Sequence, residues 1–273
     1  MSELFRSDFF KLRKSRSILV CLIVSFILGA LMSVIYYIAW QELSRTMDET
    51  LKMIEGMGDY SGVVMEAMDI LPSDNLWSYI NVSLCDQNVL YIAAVAIGIF
   101  VGSEYSMGTI KNSLTRGFRR NSVFFSKMIS AVLIMVLIVF VYAIGSAVPG
   151  CILFGFSANI SASDMLMCIA LYLLLFIAAA SFYAMIAVIT KRTGYAIAAA
   201  LILPIIVTAL INVIKIGNQD FGSVSRYWLF ETITNTQKLV QSGEGYVPAI
   251  SGAVYLALSS LIGIGVFRKQ SIS

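Results

Sequence analysis

The sequence predicts an all-α integral membrane protein with six transmembrane helices and both termini cytoplasmic. Three observations predict it. First, hydrophobic residues make up 59% of the 273 residues and charged residues 13%, and the mean hydropathy is +0.85. A soluble domain is about 45–50% apolar and about 25% charged, so a water-soluble core cannot hide this surplus. Second, six apolar runs approach or exceed the roughly 20 residues needed to cross a bilayer. Third, fourteen of the nineteen Lys and Arg fall in segments that alternate with the others across those runs.

The first run, 18–40, has no charge and follows a basic start. It lacks a small-x-small cleavage site, so it reads as a retained helix rather than a signal peptide. The second, 84–101, is the weakest, with Asp86, Gln87 and Asn88 near its outer end. The others are 128–154 with Pro149 inside, 165–189, 195–214 with Pro204 inside, and 247–267. Arg6, Lys11, Arg13, Lys14 and Arg16 precede the first span; Lys111, Arg116, Arg119, Arg120 and Lys127 lie between the second and third. Lys191 and Arg192 follow the fourth, and Arg268 and Lys269 follow the sixth. By the positive-inside bias these segments are cytoplasmic, and an even span count agrees.

The connections carry their own patterns. "ELFRSDFFKLRKSRS" sets Leu4, Phe5, Phe9 and Leu12 on one helical face and cations on much of the rest. That suits an interfacial helix over 1–17, apolar side down on anionic headgroups, or simply a positive topology signal. In the outer loop 41–83, Leu43, Met47, Leu51 and Ile54 continue the first span as an amphipathic helix that breaks near Gly56 and Gly58. The outer segment 217–246 contains "RYWLFETITNTQKLV", whose Tyr227, Trp228, Leu229 and Phe230 suit headgroup depth. Trp40, Trp77 and Tyr79 read as outer interfacial anchors. Gly98 and Gly102 form a GxxxG whose default reading is packing within the subunit.

Composition also excludes functions. There is no histidine, which removes the usual general base and the commonest metal ligand. No metal site is expected. Cys21, Cys85, Cys151 and Cys168 have neither CxxC nor zinc spacing; the last three lie toward the outer side, where a disulfide or plain packing are both open readings. Dispersed cations argue against nucleic acid. No intramembrane carboxylate is placed to couple protons and no inverted repeat stands out, against a secondary transporter. No paired intramembrane acids supply a protease.

Residues 104–127, "EYSMGTIKNSLTRGFRRNSVFFSK", are too long for a plain turn between antiparallel spans. Met107 to Leu114 have helical character, Gly117 interrupts, and "NSVFFSK" restarts with Asn121 or Ser122 as a cap. The pattern predicts short helix, break, short helix; a solvated positive loop is the plainer alternative.

With two flanking residues, "GSEYSMGTIKNSLTRGFRRNSVFFSK" resembles the segment after the second span in permease subunits of type 2 ABC exporters. Glu104, Gly108, Thr109, Arg119 or Arg120, and Lys127 match that family's acidic residue, Gly-Thr, arginine and span-opening lysine in order. The opening "FRSDFFKLRKSRS" and closing "FRKQSIS" are similar to bacterial members near the peptide-antibiotic and lantibiotic resistance permeases. The resemblance implies a single permease domain over 1–273 in a bacterial plasma membrane, paired with a second copy or a paralogue. It implies a coupling helix within 104–127 seated in a separate ABC ATPase subunit, with Glu104, Arg116, Arg119 and Arg120 orienting the docking, Thr109 matching the motif and Gly108 and Gly117 allowing bends. It also implies re-entrant helices within 217–246. The chain has no GxxxxGKS/T phosphate loop, so ATP and Mg would be bound by the partner and this subunit would not be an enzyme. In that family spans two and five line the route, making Asp86, Gln87, Asn88, Thr208 and Asn212 candidate pathway residues. The substrate class it suggests is hydrophobic or amphipathic, with antimicrobial peptides foremost. The large first outer loop departs from the pattern. The alternatives are a non-transporting membrane immunity or sensor protein, or a secondary transporter.

Overall fold

The computed structural model describes residues 2–54, 76–154, 162–217 and 222–270. The described residues form helices throughout: α1 Ser2–Lys14, α2 Arg16–Ile54, α3 Leu76–Cys85, α4 Gln87–Ser106, α5 Thr109–Thr115, α6 Arg120–Phe154, α7 Ala162–Thr190, α8 Thr193–Gly217, α9 Gly222–Ser225, α10 Leu229–Gln241 and α11 Tyr246–Lys269. Six of them, α2, α4, α6, α7, α8 and α11, are long and apolar enough to cross a membrane, making this a multi-pass membrane protein. Both terminal segments lie at one end of the bundle: α1 packs on the start of α6, and Arg120 donates to the carbonyls of Arg268 and Gln270 at 2.7 and 2.8 Å.

The least apolar span is the central one. Within its apolar window α4 is 67% buried, against 11% for α8, and α4 touches α2, α6, α7 and α8. Protein neighbours rather than lipid surround it, so small and polar side chains are tolerated there. Gly98 and Gly102 sit at the α4–α8 crossing, where an added Cβ would lie 2.9 Å from Ile197 Cγ1 and 2.8 Å from Thr193 Cα. The GxxxG therefore packs within the subunit.

Spans one and three cross even more closely. A Cβ on Gly29 would lie 2.6 Å from the Tyr142 carbonyl oxygen, and one on Gly145 would lie 2.5 Å from that of Phe26. Ser25 Oγ donates to the Ile138 carbonyl at 3.1 Å and Ser33 Oγ to that of Ser146 at 2.7 Å. Lipid tails compete poorly with such contacts, because helices in a bilayer associate through close packing and interhelical hydrogen bonds.

Several expectations are corrected. The second span starts at Gln87, not at 84, because Asp86 is its N-cap, accepting from the Asn88 N–H at 3.0 Å. Residues 76–83, expected to be loop, and 84–85, expected to open the second span, together form α3. No second short helix follows Gly117; "NSVFFSK" is the first turns of the continuous α6. Leu229 and Phe230 do not dip toward lipid. They are buried, because Leu229, Phe230, Ile233 and Thr236 share the α10 face that packs on α7 and α11. The expected amphipathic continuation of span one is helical to Ile54; its break near Gly56 and Gly58 lies outside the described residues, as do the side chains of Trp77 and Tyr79. All four cysteines are free thiols.

Candidate functional site

The terminal end is organised around a ring of four charges. On α1, Leu4, Asp8 and Leu12 recur every fourth residue and are buried, while Phe5, Phe9 and Phe10 stay exposed. The expected single apolar face of α1 is thus divided: the leucines turn to protein with Asp8 between them, and the phenylalanines turn out. Asp8 Oδ1 accepts from Lys127 Nζ at 2.6 Å and its Oδ2 from Ser126 Oγ at 2.6 Å. Lys127 Nζ is also 2.5 Å from Glu104 Oε2, a charge contact without hydrogen-bond geometry, since that oxygen has no hydrogen-bond donor. Lys11 Nζ donates to Glu104 Oε1 at 3.0 Å and is 3.9 Å from Asp8 Oδ1, closing the ring. Asp8, Glu104 and Lys127 are buried; the Lys11 side chain, 43% exposed, is the solvent-facing corner.

This placement changes the reading of Glu104. It is not a surface group waiting for a partner but an internal ion pair joining α1, α4 and α6. Asp8 and Lys127 are the residues sequence reasoning missed as a pair. Their signal was legible: an acid on the Leu4/Leu12 line of a basic helix, and a lone cation seven residues inside an apolar one. Only proximity in space connects them.

Beyond Glu104, span two turns directly into α5. Gly108 (φ 68°) and Gly117 (φ 85°) bracket it in the left-handed conformation that side chains resist. Thr109 Oγ1 donates to the Glu104 carbonyl at 3.2 Å, closing the end of α4. Ile110 is buried and pins α5 to the bundle, while Lys111, Arg116 and Arg119 are exposed. Arg120 is exposed as well, but its guanidinium holds the end of α11. The projecting basic set is therefore Lys111, Arg116 and Arg119.

At the other end of span two, Gln87, Leu90, Tyr91, Pro204, Ile205, Thr208, Ala209, Asn212 and Phe230 line a crevice of about 320 Å³ between α4 and α8. Three of the five candidate pathway residues, Gln87, Thr208 and Asn212, meet there. Asp86 and Asn88 do not: Asp86 caps α4, accepts from Asn88 Nδ2 at 3.1 Å, and takes the Tyr142 hydroxyl on Oδ2 at 2.5 Å. Trp228 Nε1 donates to Thr208 Oγ1 at 2.9 Å, and Lys215 pairs with Glu231, tying the region before span six to α8. The crevice lining carries no formal charge. Among the described residues no cluster of acidic or cysteine side chains could hold a metal ion.

Beside the crevice, Tyr172 OH donates to Asn81 Oδ1 at 2.8 Å and lies 2.9 Å from Cys85 Sγ; Asn81 Nδ2 in turn donates to Gln237. Burial pushes the Cys85 thiol up to about 11. Maleimide attacks thiolate only. At pH 8 Cys85 should therefore react about 100-fold more slowly in the folded protein than after denaturation, by the roughly two-unit rise. Mass-spectrometric labelling rates check this, and equal rates would mean the thiol is solvated.

The family described as a protein of unknown function (DUF2705) matches residues 57–273, and the chain belongs to it. No curated protein matches the chain.

Proposed function

We propose that this member of the DUF2705 family is the transmembrane subunit of an ATP-driven ABC exporter in a bacterial plasma membrane, with both termini cytoplasmic. The observation that carries the reading is the course of span two. Its one end turns into a short helix bracketed by left-handed glycines, with Lys111 on it and Arg116 and Arg119 just after it, and its other end lines the α4–α8 crevice. A 20-residue helix spans about 30 Å as a rigid element, so a push on α5 reaches Gln87. The exposed Lys111, Arg116 and Arg119 suit an acidic groove on a soluble ATPase, which would bind ATP and Mg. Two permeases, identical or paralogous, would face each other across the pathway.

The crevice chemistry supports an amphipathic substrate. Leu90, Tyr91, Pro204, Ile205, Ala209 and Phe230 offer apolar surface, and Gln87, Thr208 and Asn212 offer neutral donors and acceptors. An antimicrobial peptide has that character.

The test is co-purification with the ATPase encoded beside this chain, comparing wild type with Arg116→Glu/Arg119→Glu. Glu104 is left intact because reversing it would break the charge ring. We expect association with the wild-type chain and at least a tenfold weakening in the reversed one, about 1.4 kcal/mol or more. No association of the wild-type chain with any ATPase would leave the immunity or sensor reading in its place.

A further inference from the structure

We propose that α1 is a releasable strap, and that the Asp8–Lys127–Glu104–Lys11 ring is the latch that docks it on the bundle. This does not rest on the exporter reading. The argument comes from how the four charges divide between the two bodies they join. The α1 side contributes Asp8 and Lys11, one of each sign. The bundle side contributes Glu104 from α4 and Lys127 from α6, again one of each sign. Each side is neutral, and each already holds its own charges together: Lys11 is 3.9 Å from Asp8 across one helical turn, and Lys127 is 2.5 Å from Glu104.

Release of α1 therefore strands no unpaired charge on either side. A single cross-pair, acid on one body and base on the other, would do so, and an unpaired buried charge is costly. What the ring supplies to docking is orientation. The acid of each side meets the base of the other, and Ser126 adds a donor to Asp8. The remaining attachment is slight, since only Leu4 and Leu12 of the strap's large apolar residues are buried. Phe5, Phe9 and Phe10 are exposed even in the docked state, with Lys14 over the Phe10 ring at 5.0 Å. A helix with that face and those cations is at home in the headgroup layer when undocked. Lys11 bonds the residue from which α4 turns toward α5, so the strap's position is felt at α5.

The test exchanges the strap's two charges without altering its composition. Asp8→Lys/Lys11→Asp keeps the net charge of α1 unchanged and leaves the Glu104–Lys127 pair whole, but sets like charges against like. Spin labels at Phe10→Cys and Arg192→Cys, in a chain whose native cysteines are replaced by alanine, report the separation in lipid nanodiscs by pulsed electron resonance. The wild-type ring should give one short distance. The double exchange should add a population longer by about a helix diameter, roughly 10 Å, with the bundle still monodisperse. Adding Glu104→Lys/Lys127→Glu restores the complementary order and should return the short distance; the Ser126 hydroxyl can serve as donor or acceptor.

An unchanged distance in the double exchange would show that the ring does not hold the strap. Loss of folded protein in that variant would show that the bundle cannot stand without it. Failure of the fourfold exchange to recover the short distance would mean that something other than charge order seats α1. Each of these overturns the proposal.

Discussion

Lys127→Met should destabilise the bundle by about 3–5 kcal/mol, the cost of leaving a buried charge uncompensated. Lys127 is the buried cation between two buried carboxylates, 2.6 Å from Asp8 Oδ1 and 2.5 Å from Glu104 Oε2. Met has similar volume, so packing is nearly kept and the charge alone is lost. Lys11 cannot take over, because it already serves Glu104 Oε1 from the solvent side. Adding Glu104→Gln should recover most of the loss, since the bundle side is then neutral again. Thermal unfolding in one detergent, followed by size-exclusion retention, reads both variants. A loss under about 1 kcal/mol, the range of exposed ion pairs, would mean that water reaches the ring. The strap exchange leaves the Glu104–Lys127 pair whole and should stay folded, whereas Lys127→Met breaks it.

Gly145→Leu should be comparably damaging, by a steric route. The first added atom already falls 2.5 Å from the backbone oxygen of Phe26 and 3.1 Å from its Cα. Backbone cannot swing aside as a side chain can, so α2 and α6 must separate. Separation forfeits the Ser25–Ile138 and Ser33–Ser146 hydrogen bonds as well. Overpacking alone costs about 1–3 kcal/mol, and the lost contacts add to it. Gly145→Ala should already show much of the effect. Gly265→Ala is the matched control: nothing lies within 4 Å of its Cβ position, so helix propensity should make it neutral or stabilising by up to about 1 kcal/mol. If both alanine variants unfold at the wild-type temperature, the close crossing is not what holds span one.

Much of this protein was legible in one dimension because lipid imposes a simple rule. Every backbone polar group facing lipid must be bonded inside the protein, and only a helix does this within its own segment, so long apolar runs become helices without reference to neighbours. The six spans and the two glycines that bracket α5 follow from local composition and backbone sterics. The cap at Asp86 is local too, though the apolar "LWSYINVSLC" runs up to it and blurs the start of α4 in hydropathy. What composition could not say is which side of each helix meets protein. The weakest span, α4, is central because protein rather than lipid surrounds it, and hydropathy alone reads that as uncertainty. Phe5 and Leu12 are equally apolar in sequence, yet one is exposed and the other buried. The charge ring joins residues separated by 93 and 119 positions, and the crevice joins Gln87 to Thr208 and Asn212. Periodicity carries no information across such distances. Only the packing of α1, α4 and α6 turns Asp8, Glu104 and Lys127 from scattered charges into one buried latch, because a charge leaves water only where its partners are already in place.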